Sequence, residues 1–332
     1  MKVSVLVPVY NKAAYVEEAV RSVLDGTWRD LEVIAVDDAS TDGSAQVLER
    51  ITDPRLRIVR HAANRGPAAA ANTGIDAAHG EYIVRLDADD IAVPERVAKQ
   101  VALMDAHPGI GASGGWLQLF GERDVAWRFP LTDEACRSAL LFRVPLSQGA
   151  SIVRRSVLEE HHLRYDPDWP RVGEDWLFWA RIAPHTRFAN LDEPLTLYRR
   201  GTQNISHGRD KVDTHRAILE RLLPMFGVTA TPERIDAHLM ALTYFATPPD
   251  AAAVRRVHAW LQWLIAWNDE QARFPKAAFE STVQAQWDRL FHYLPRHGWS
   301  PALAHLRLSR SWPFDRLDFL LRTRINAVLG RL

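Results

Sequence analysis

The fold of this chain is decided by the stretch Glu81-Tyr82-Ile83-Val84-Arg85-Leu86-Asp87-Ala88-Asp89-Asp90. Its first half favours a buried strand, and that strand runs directly into three carboxylates. Residues i and i+2 of an extended chain point the same way, so Asp87 and Asp89 can face one point, with Asp90 turned aside or capping the next helix. Because like charges repel unless a cation lies among them, such oxygen ligands suit Mg²⁺ or Mn²⁺ shared with phosphate. An acidic turn that caps a helix starting near Pro94 explains the stretch equally well.

Strand-like and helical patterns alternate around this stretch, from residue 1 to about 110. Apolar runs predict strands, and apolar residues at helical spacing predict helices. The strands are expected at 3–9, 31–36, 57–59 and 81–86, and the helices at 13–24, 45–51 and 66–78. This alternation predicts a mostly parallel sheet flanked by helices, in which ligands bind beyond the carboxyl ends of the strands. Pro8-Val9-Tyr10-Asn11 and Asp37-Asp38 fall at two of those ends, beside the quoted acids.

The pattern changes after residue 110. Strands are expected at 111–120, 149–153 and 195–199, and helices at 133–142, 156–161 and 176–182. Glu174-Asp175 opens the last of these helices, at the positive end of its dipole. From about residue 210 the sequence is helical. We therefore expect a domain at 1–210, with halves at about 1–110 and 111–210, and a helical region at 211–332.

Composition narrows the classes of function. Lys+Arg and Asp+Glu both number 41, so no overall charge attracts nucleic acid. The single cysteine, Cys136, excludes an internal disulfide and fits a reducing compartment. Without an apolar run of about 18 residues, no spanning helix is expected, and we expect a soluble, cytoplasmic protein. Residues 301–332 mix arginines with apolar residues, as peripheral membrane helices do, but a helical cap with a solvated face or a homo-oligomer contact fits as well.

The motifs together resemble those of the family-two glycosyltransferases, which have the GT-A fold. The stretches that carry the resemblance are 3–11, 32–44, 64–90 and 173–175, and together they cover roughly residues 1–200. The resemblance implies an α/β, Rossmann-like catalytic domain with a helical C-terminal extension. In that domain the half at about 1–110 is expected to bind the nucleotide sugar, and the half at about 111–210 the acceptor. It also implies a nucleoside-diphosphate sugar as donor, Mn²⁺ or Mg²⁺ as cofactor, and inversion at the anomeric carbon.

The resemblance also implies roles for single residues. Asp87-Ala88-Asp89 is the DXD motif, with Asp89 as metal ligand and Asp87 near the ribose or sharing the metal. His207 is the candidate third ligand, because the place where many relatives have a histidine holds Arg200 or Gly201. The residues expected to line the nucleotide pocket or its loops are Pro8, Val9, Tyr10, Asn11, Asp38, Asn64, Gly66, Asn72, Asp87 and Ala88. Of these, Asp38 is expected to bind the nucleobase, and phosphate contacts are expected from Arg65 or Arg85.

The carboxylates at 174 and 175 are expected to serve catalysis. By resemblance, Asp175 is the general base that deprotonates the acceptor, and Glu174 orients the acceptor or a loop. Both residues could instead only cap the helix that they open. Trp169 and Trp176 flank the pair, so they are candidates for stacking on an acceptor sugar, although most tryptophans only pack.

The function predicted is sugar transfer, with a uridine-linked donor preferred. The acceptor is expected to be a hydroxyl of a saccharide or lipid-linked molecule in bacterial surface polysaccharide synthesis. One alternative is a nucleotide-sugar-binding protein that has lost catalysis, against which the presence of both Asp89 and Asp175 argues. Another is a different nucleotide-dependent α/β transferase. Neither a Gly-x-Gly-x-x-Gly after the first strand nor a P-loop is present, which disfavours dinucleotide and P-loop enzymes.

Overall fold

The chain divides into two units, Met1–Gly208 and Arg209–Leu332. The computed structural model describes residues 1–121, 124–169, 172–201, 208, 210–309 and 314–328.

One sheet runs through the first unit. Its strands are β1 (Val3–Val9), β2 (Leu31–Asp37), β3 (Leu56–Arg60), β4 (Tyr82–Arg85), β5 (Ile91–Ala92), β6 (Ile110–Gly121), β7 (Ala126–Trp127), β8 (Ile152–Arg154) and β9 (Arg187–Arg200). Its helices are α1 (Val16–Leu24), α2 (Ser44–Glu49), α3 (Pro67–Ala77), α4 (Arg96–Ala106), α5 (Asp133–Ala139), α6 (Arg155–Glu160) and α7 (Glu174–Ile182), with a 3₁₀ turn at Gln148–Ala150.

The sheet is mixed rather than mostly parallel. Its strand order is β3-β2-β1-β4-β8-β6-β9-β5, with β7 paired to β6. The pairs among β3, β2, β1 and β4 are parallel, whereas β8 is antiparallel to both β4 and β6. The prediction of an α/β sheet flanked by helices is confirmed. The antiparallel strand β8 between β4 and β6 was not indicated by the alternation of strand and helix patterns in the sequence.

Apolar residues at the predicted spacing form the core of this sheet. Six of the seven residues of β1 and all of β2 are buried, and α1 buries Val16, Ala19, Val20, Val23 and Leu24. Gly80 precedes β4 where the chain passes β1, and a Cβ there would lie 2.6 Å from the Ser4 nitrogen. Only glycine therefore permits β4 to begin this close to β1. The ends of β1, β2 and β4 are in this way held side by side.

The acids after β4 do not cap a helix. Asp90 is followed by β5, and α4 begins only at Arg96, with Glu95 as its N-cap residue. The Asp90 carboxylate instead accepts a hydrogen bond from the Arg199 backbone nitrogen, at 2.9 Å. The helix-cap explanation of this stretch is therefore wrong.

The last strand is longer than its sequence pattern indicates. β9 begins at Arg187, and its pairing with β6 is interrupted by register shifts between Ile110 and Ala112, and between Gly114 and Leu117. Such bulges break the alternation of polar and apolar residues from which a strand is inferred. The strand predicted at 149–153 is instead shorter in the structure, because the 3₁₀ turn occupies Gln148–Ala150 and β8 begins only at Ile152.

The second unit is helical. Its helices are α8 (Lys211–Met225), α9 (Pro232–Ala241), α10 (Ala251–Gln271), α11 (Lys276–Phe291), α12 (Trp299–Leu308) and α13 (Phe314–Val328), with a 3₁₀ turn at Leu294–His297. α12 buries much of its apolar surface, including Pro301, Ala302 and Leu306. Among the described residues, no helix is both long and apolar enough to cross a membrane.

Candidate active site

A cavity of about 410 Å³ lies at the carboxyl ends of β1, β2 and β4. It is lined by most of the site residues predicted from the sequence: Pro8, Val9, Tyr10, Asn11, Asp38, Asn64, Gly66, Arg85, Asp87, Ala88, Asp89 and Glu174. It is also lined by residues that the sequence analysis did not select: Lys12, Pro67, Ala70, Gln148 and Tyr198. His207, the candidate third metal ligand, lies outside the described residues.

Asp38 organises one wall of the cavity by holding a loop. Its Oδ1 accepts a hydrogen bond from the Arg65 backbone nitrogen at 2.8 Å and lies 2.7 Å from His61 Nδ1. Its Oδ2 accepts from the Gly66 nitrogen at 2.8 Å and from Asn64 Nδ2 at 3.0 Å. Gly66 has φ +89°, which glycine adopts without strain. The carboxylate thus fixes the backbone at residues 64–66 against the end of β2.

The loops after β1 and β2 are tied to each other. Asn11 Oδ1 accepts a hydrogen bond from the Thr41 backbone nitrogen at 2.8 Å. The Lys12 nitrogen donates to Ser44 Oγ, also at 2.8 Å. Asn11 has φ +52°, a conformation that asparagine tolerates better than most residues. These ties hold the Tyr10–Lys12 backbone at the mouth of the cavity.

Asn72 serves a different purpose from the one predicted. Its Nδ2 donates to the Tyr165 carbonyl oxygen and its Oδ1 accepts from the Tyr165 nitrogen, both at 2.8 Å. Asn72 is not among the residues that line the cavity. Its amide nitrogen and oxygen both bond to the Tyr165 backbone, so the side chain links α3 to the segment before α7.

Two positively charged side chains lie beside the acids at one end of the cavity. Lys12 Nζ lies 2.6 Å from Asp89 Oδ2, and Arg85 Nη2 lies 3.1 Å from Asp87 Oδ1. Burial raises the pKa of Asp89, and the Lys12 ammonium opposes that rise. The pKa of Asp90 is raised well above its ordinary value by burial and by the charges of Asp87 and Asp89. The negative charges of Asp87 and Asp89 thus act directly on Asp90.

Three buried polar atoms around this end have no hydrogen-bond partner within the part of the chain that the structure describes. They are Arg85 Nη1, Asp90 Oδ2 and Gln148 Oε1. Buried polar groups are nearly always paired, so such atoms indicate a missing ligand or water. A free guanidinium N–H suits an anion, and carboxylate oxygens suit a hard cation.

The oxygen donors fit a divalent cation of the Mg²⁺ or Mn²⁺ class. Among the described residues no three metal-ligating side chains converge on one point. Such ions are nevertheless commonly bound through one or two carboxylates, with water and substrate phosphates completing the shell. Asp89 and Asp87 could supply those carboxylates, with Lys12 as the competitor for Asp89.

The second carboxylate pair opens α7, after Gly173 in a left-handed conformation. Glu174 lines the cavity and accepts a hydrogen bond from Gln148 Nε2 at 3.1 Å. Asp175, the next residue, is not itself among the residues that line the cavity, and its Oδ1 accepts a hydrogen bond from the Trp176 backbone nitrogen at 2.8 Å. Burial, and then the negative charge of Glu174, raise the pKa of Asp175 to about 7. A carboxylate with this pKa is a stronger base than an ordinary aspartate.

The two tryptophans beside this pair are not available for stacking on a sugar. Trp169 is 7% exposed and donates from Nε1 to the Val172 carbonyl oxygen at 3.0 Å. Trp176 is 5% exposed and donates to the Leu140 carbonyl oxygen at 2.6 Å. Both are packing residues, so the interpretation of them as acceptor contacts is wrong.

Arg96 is a structural residue of the site that the sequence did not reveal. It is fully buried on α4, and its guanidinium donates to the carbonyl oxygens of Arg85 at 2.5 Å and Gly149 at 2.9 Å. It also donates to Thr196 Oγ1 at 3.0 Å. Burial lowers the pKa of Arg96 to about 10. One side chain thus joins the end of β4 to the turn that carries Gln148 and to β9.

Comparisons with known proteins agree with this architecture. A family model described as "Glycosyl transferase family 2" matches residues 4–161. The putative glycosyltransferase EpsE of Bacillus subtilis is 33% identical over 198 residues, which are 58% of this chain and 71% of EpsE. The succinoglycan biosynthesis protein ExoO of Rhizobium meliloti is 34% identical over 190 residues, 54% of each chain.

A further relative is an uncharacterized glycosyltransferase of Haemophilus influenzae, 33% identical over 210 residues, 59% of this chain and 65% of its own length. The chain therefore spans less than two thirds of the length of this protein and of ExoO.

Solved structures show the same fold. TarS 1–349 of S. aureus, crystallised with UDP-GlcNAc, matches with a TM-score of 0.61 at 18% identity, over 100% of this chain and 93% of its own. The mannosyltransferase PcManGT of Pyrobaculum calidifontis, in complex with GDP-Man and Mn²⁺, matches with a TM-score of 0.51 at 21% identity, over 100% and 88%. At these identities the likeness supports the GT-A fold alone.

Proposed function

The chain belongs to glycosyl transferase family 2, and on that premise we propose that it transfers a sugar from a nucleoside-diphosphate sugar to a hydroxyl of a saccharide or lipid-linked acceptor, with inversion at the anomeric carbon. The name of ExoO, a succinoglycan biosynthesis protein, supports a role in bacterial polysaccharide synthesis. UDP is the nucleotide we expect, as in the TarS complex with UDP-GlcNAc.

The observation that carries this proposal is that carboxylates from two separate segments line one cavity. Asp87 and Asp89 line it from the end of β4, and Glu174 lines it from the start of α7. The first pair lies beside Arg85, whose Nη1 has no partner among the described residues. Asp175 adjoins Glu174, and its pKa, raised to about 7, suits the role of base. Sugar transfer needs both functions, charge neutralisation on the leaving diphosphate and proton removal from the acceptor.

The donor would lie along the strand ends. The nucleoside would occupy the wall made by Pro8–Tyr10 and the loop that Asp38 holds, whose Asn64 and Gly66 also line the cavity. The diphosphate would reach the Arg85 guanidinium. A divalent ion held by Asp89 and Asp87 would supply Lewis-acid stabilisation of the leaving diphosphate.

The acceptor hydroxyl would be activated at the start of α7. The hydroxyl oxygen forms the new bond to the anomeric carbon as the bond from that carbon to the phosphate oxygen breaks. The Asp175 carboxylate takes the hydroxyl proton, and the nucleoside diphosphate leaves with the electron pair. Glu174, held by Gln148, orients the acceptor against the donor. In this scheme Asp175 is the catalytic base and Glu174 a positioning residue.

A thermal-shift screen of UDP-, GDP- and dTDP-sugars, each with and without Mn²⁺, tests this proposal. We expect one nucleotide to raise the melting temperature, and Mn²⁺ to enlarge the shift. Asp89→Ala should remove the Mn²⁺-dependent part, whereas Asp192→Ala, at an exposed acid that does not line the cavity, should retain it. A protein that responds to none of these sugars would not have the proposed function.

Turnover separates this proposal from a binding protein without catalysis. The wild-type protein should release nucleoside diphosphate from the sugar that gives the shift. The Asp175→Asn protein should bind that sugar normally and release little product. Binding without turnover by the wild type would favour the inactive protein, and full turnover by Asp175→Asn would remove the base assignment.

A further inference from the structure

An aromatic pair that the sequence did not reveal adjoins the cavity. Tyr198, on β9, lines the cavity. Its ring and the Trp127 ring are stacked, with centroids 5.7 Å apart and an angle of 27° between the planes. Trp127 is on β7, which pairs with β6. The pair thus extends the cavity wall across the sheet.

The sheet register explains why the two rings meet. Leu117 pairs with Trp127, and Leu119 pairs with Tyr198. Leu117 and Leu119 are two residues apart on β6 and share one face, and residues opposite each other in a sheet also share a face. Both rings therefore lie on the same face, on either side of β6.

The aromatic pair rests on buried apolar side chains. Leu117, Leu119 and Phe129 are buried together in one cluster, and Tyr198 packs against it. Because these neighbours restrict the ring of Tyr198, they also restrict the ring stacked on it. Little side-chain entropy is then lost when a ligand binds to this surface, which favours binding.

Trp127 nevertheless remains 41% exposed. A single exposed apolar side chain is common and needs no explanation. Trp127 differs in two respects: it is in contact with a cavity-lining residue, and the Arg200 guanidinium lies over its ring, 5.6 Å from the centroid. A partly exposed indole beside a guanidinium donor is suited to a ligand with one apolar face and a rim of hydroxyls.

We propose that Trp127 and Tyr198 form a subsite for a saccharide ring of the acceptor, with Arg200 donating hydrogen bonds to its hydroxyls. The C–H face of a pyranose stacks on the indole, and the chain of the acceptor continues into the cavity, whose wall includes Glu174. This inference rests on the proposed function and adds to it that the acceptor carries a sugar ring next to the reacting hydroxyl. Trp127 is then a determinant of acceptor specificity.

The test compares Trp127→Ala, Trp127→Phe and the wild type. The donor is the nucleotide sugar selected by the thermal-shift screen, and the acceptors are a panel of p-nitrophenyl glycosides. An aromatic stacking contact worth about 1–1.5 kcal/mol corresponds to roughly a tenfold change. We expect Trp127→Ala to raise the acceptor KM about tenfold, with the donor KM within about twofold of the wild type. Trp127→Phe keeps an aromatic face and should recover most of the loss.

Trp299→Ala serves as the matched control, because Trp299 is a tryptophan of similar exposure, 43%, on α12 of the second unit. It should leave the acceptor KM unchanged. An unchanged acceptor KM in Trp127→Ala would overturn the subsite, and so would an equal rise in donor and acceptor KM. A wild-type protein that hydrolyses the donor but uses none of the glycosides would also overturn it. A protein that binds no nucleotide sugar would instead overturn the proposed function.

Discussion

Replacing Asp175 with asparagine should make the protein more stable while it abolishes transfer. Asparagine keeps the oxygen that accepts from the Trp176 nitrogen and removes only the charge. That charge is costly, because Asp175 is partly buried beside Glu174. The substitution therefore separates the catalytic value of the carboxylate from its effect on folding.

The magnitude follows from the pKa of Asp175, which is raised from 3.8 to about 7. A raised pKa means that the folded protein retains a proton that the unfolded chain has lost. The stability cost of this carboxylate is therefore absent below the unfolded pKa, grows as the pH rises, and is complete above about pH 7. A shift of about 3 units corresponds to about 4 kcal/mol at most, and partial exposure reduces this to about 2 kcal/mol.

Urea unfolding at about pH 5 and about pH 8 measures this difference. Asp175→Asn should exceed the wild type by about 2 kcal/mol at the higher pH and by less than half of that at the lower. The control is Asp192→Asn, at an exposed acid of the same unit, which should change the free energy of unfolding by less than about 0.5 kcal/mol. If Asp175→Asn is no more stable than the wild type at pH 8, or gains equally at both pH values, the argument from burial is refuted.

Three further substitutions test other parts of the site. Lys12→Met removes the ammonium 2.6 Å from Asp89 Oδ2 and should tighten Mn²⁺ binding about tenfold in calorimetry without nucleotide; equal or weaker binding would contradict competition between Lys12 and the ion. Asp38→Asn places an amide group against donors that now bind a carboxylate, so urea unfolding should show a loss of about 2–3 kcal/mol; a neutral result would mean that the loop is held by other contacts. Arg96→Met leaves buried carbonyl groups unpaired and should lower the free energy of unfolding by about 3–5 kcal/mol. Arg96→Lys should recover only part of this loss, because one ammonium cannot span the same acceptors, and full recovery by lysine would contradict this account.

The sequence predicted β1, β2, β4 and the polar residues that follow them, because those residues lie at the ends of regular strands. β1, β2 and β4 are apolar runs that stop at the residues which the cavity gathers. The expected side chains come together because parallel strands deliver their carboxyl ends to one edge. The assignment of roles to these residues stays a prediction until the variants are measured.

What the sequence did not predict depends on contacts between distant segments. A helical arginine such as Arg96 is ordinarily solvated, and only the tertiary structure shows it buried among carbonyl groups. The burial of Trp169 and Trp176 and the exposure of Trp127 likewise follow from packing rather than from local pattern. β8 between β4 and β6 could not be inferred either, since three residues have too short a pattern to fix a pairing partner.

The position of β8 has a mechanical consequence. Pairing between neighbouring strands runs without interruption from β3 through β8 to β9, so the two halves of the first unit, proposed to bind the nucleotide and the acceptor, share one continuous sheet. Arg96 reinforces the junction of β4, β8 and β9, because its guanidinium donates hydrogen bonds to β4, to the turn before β8 and to β9. A hinge between the halves would have to break this ladder, so we expect substrate capture by motion of surface loops rather than by rigid-body closure. Stiffness of this kind keeps the carboxylates of β4 and α7 at a constant separation, which suits a reaction that must align a donor and an acceptor.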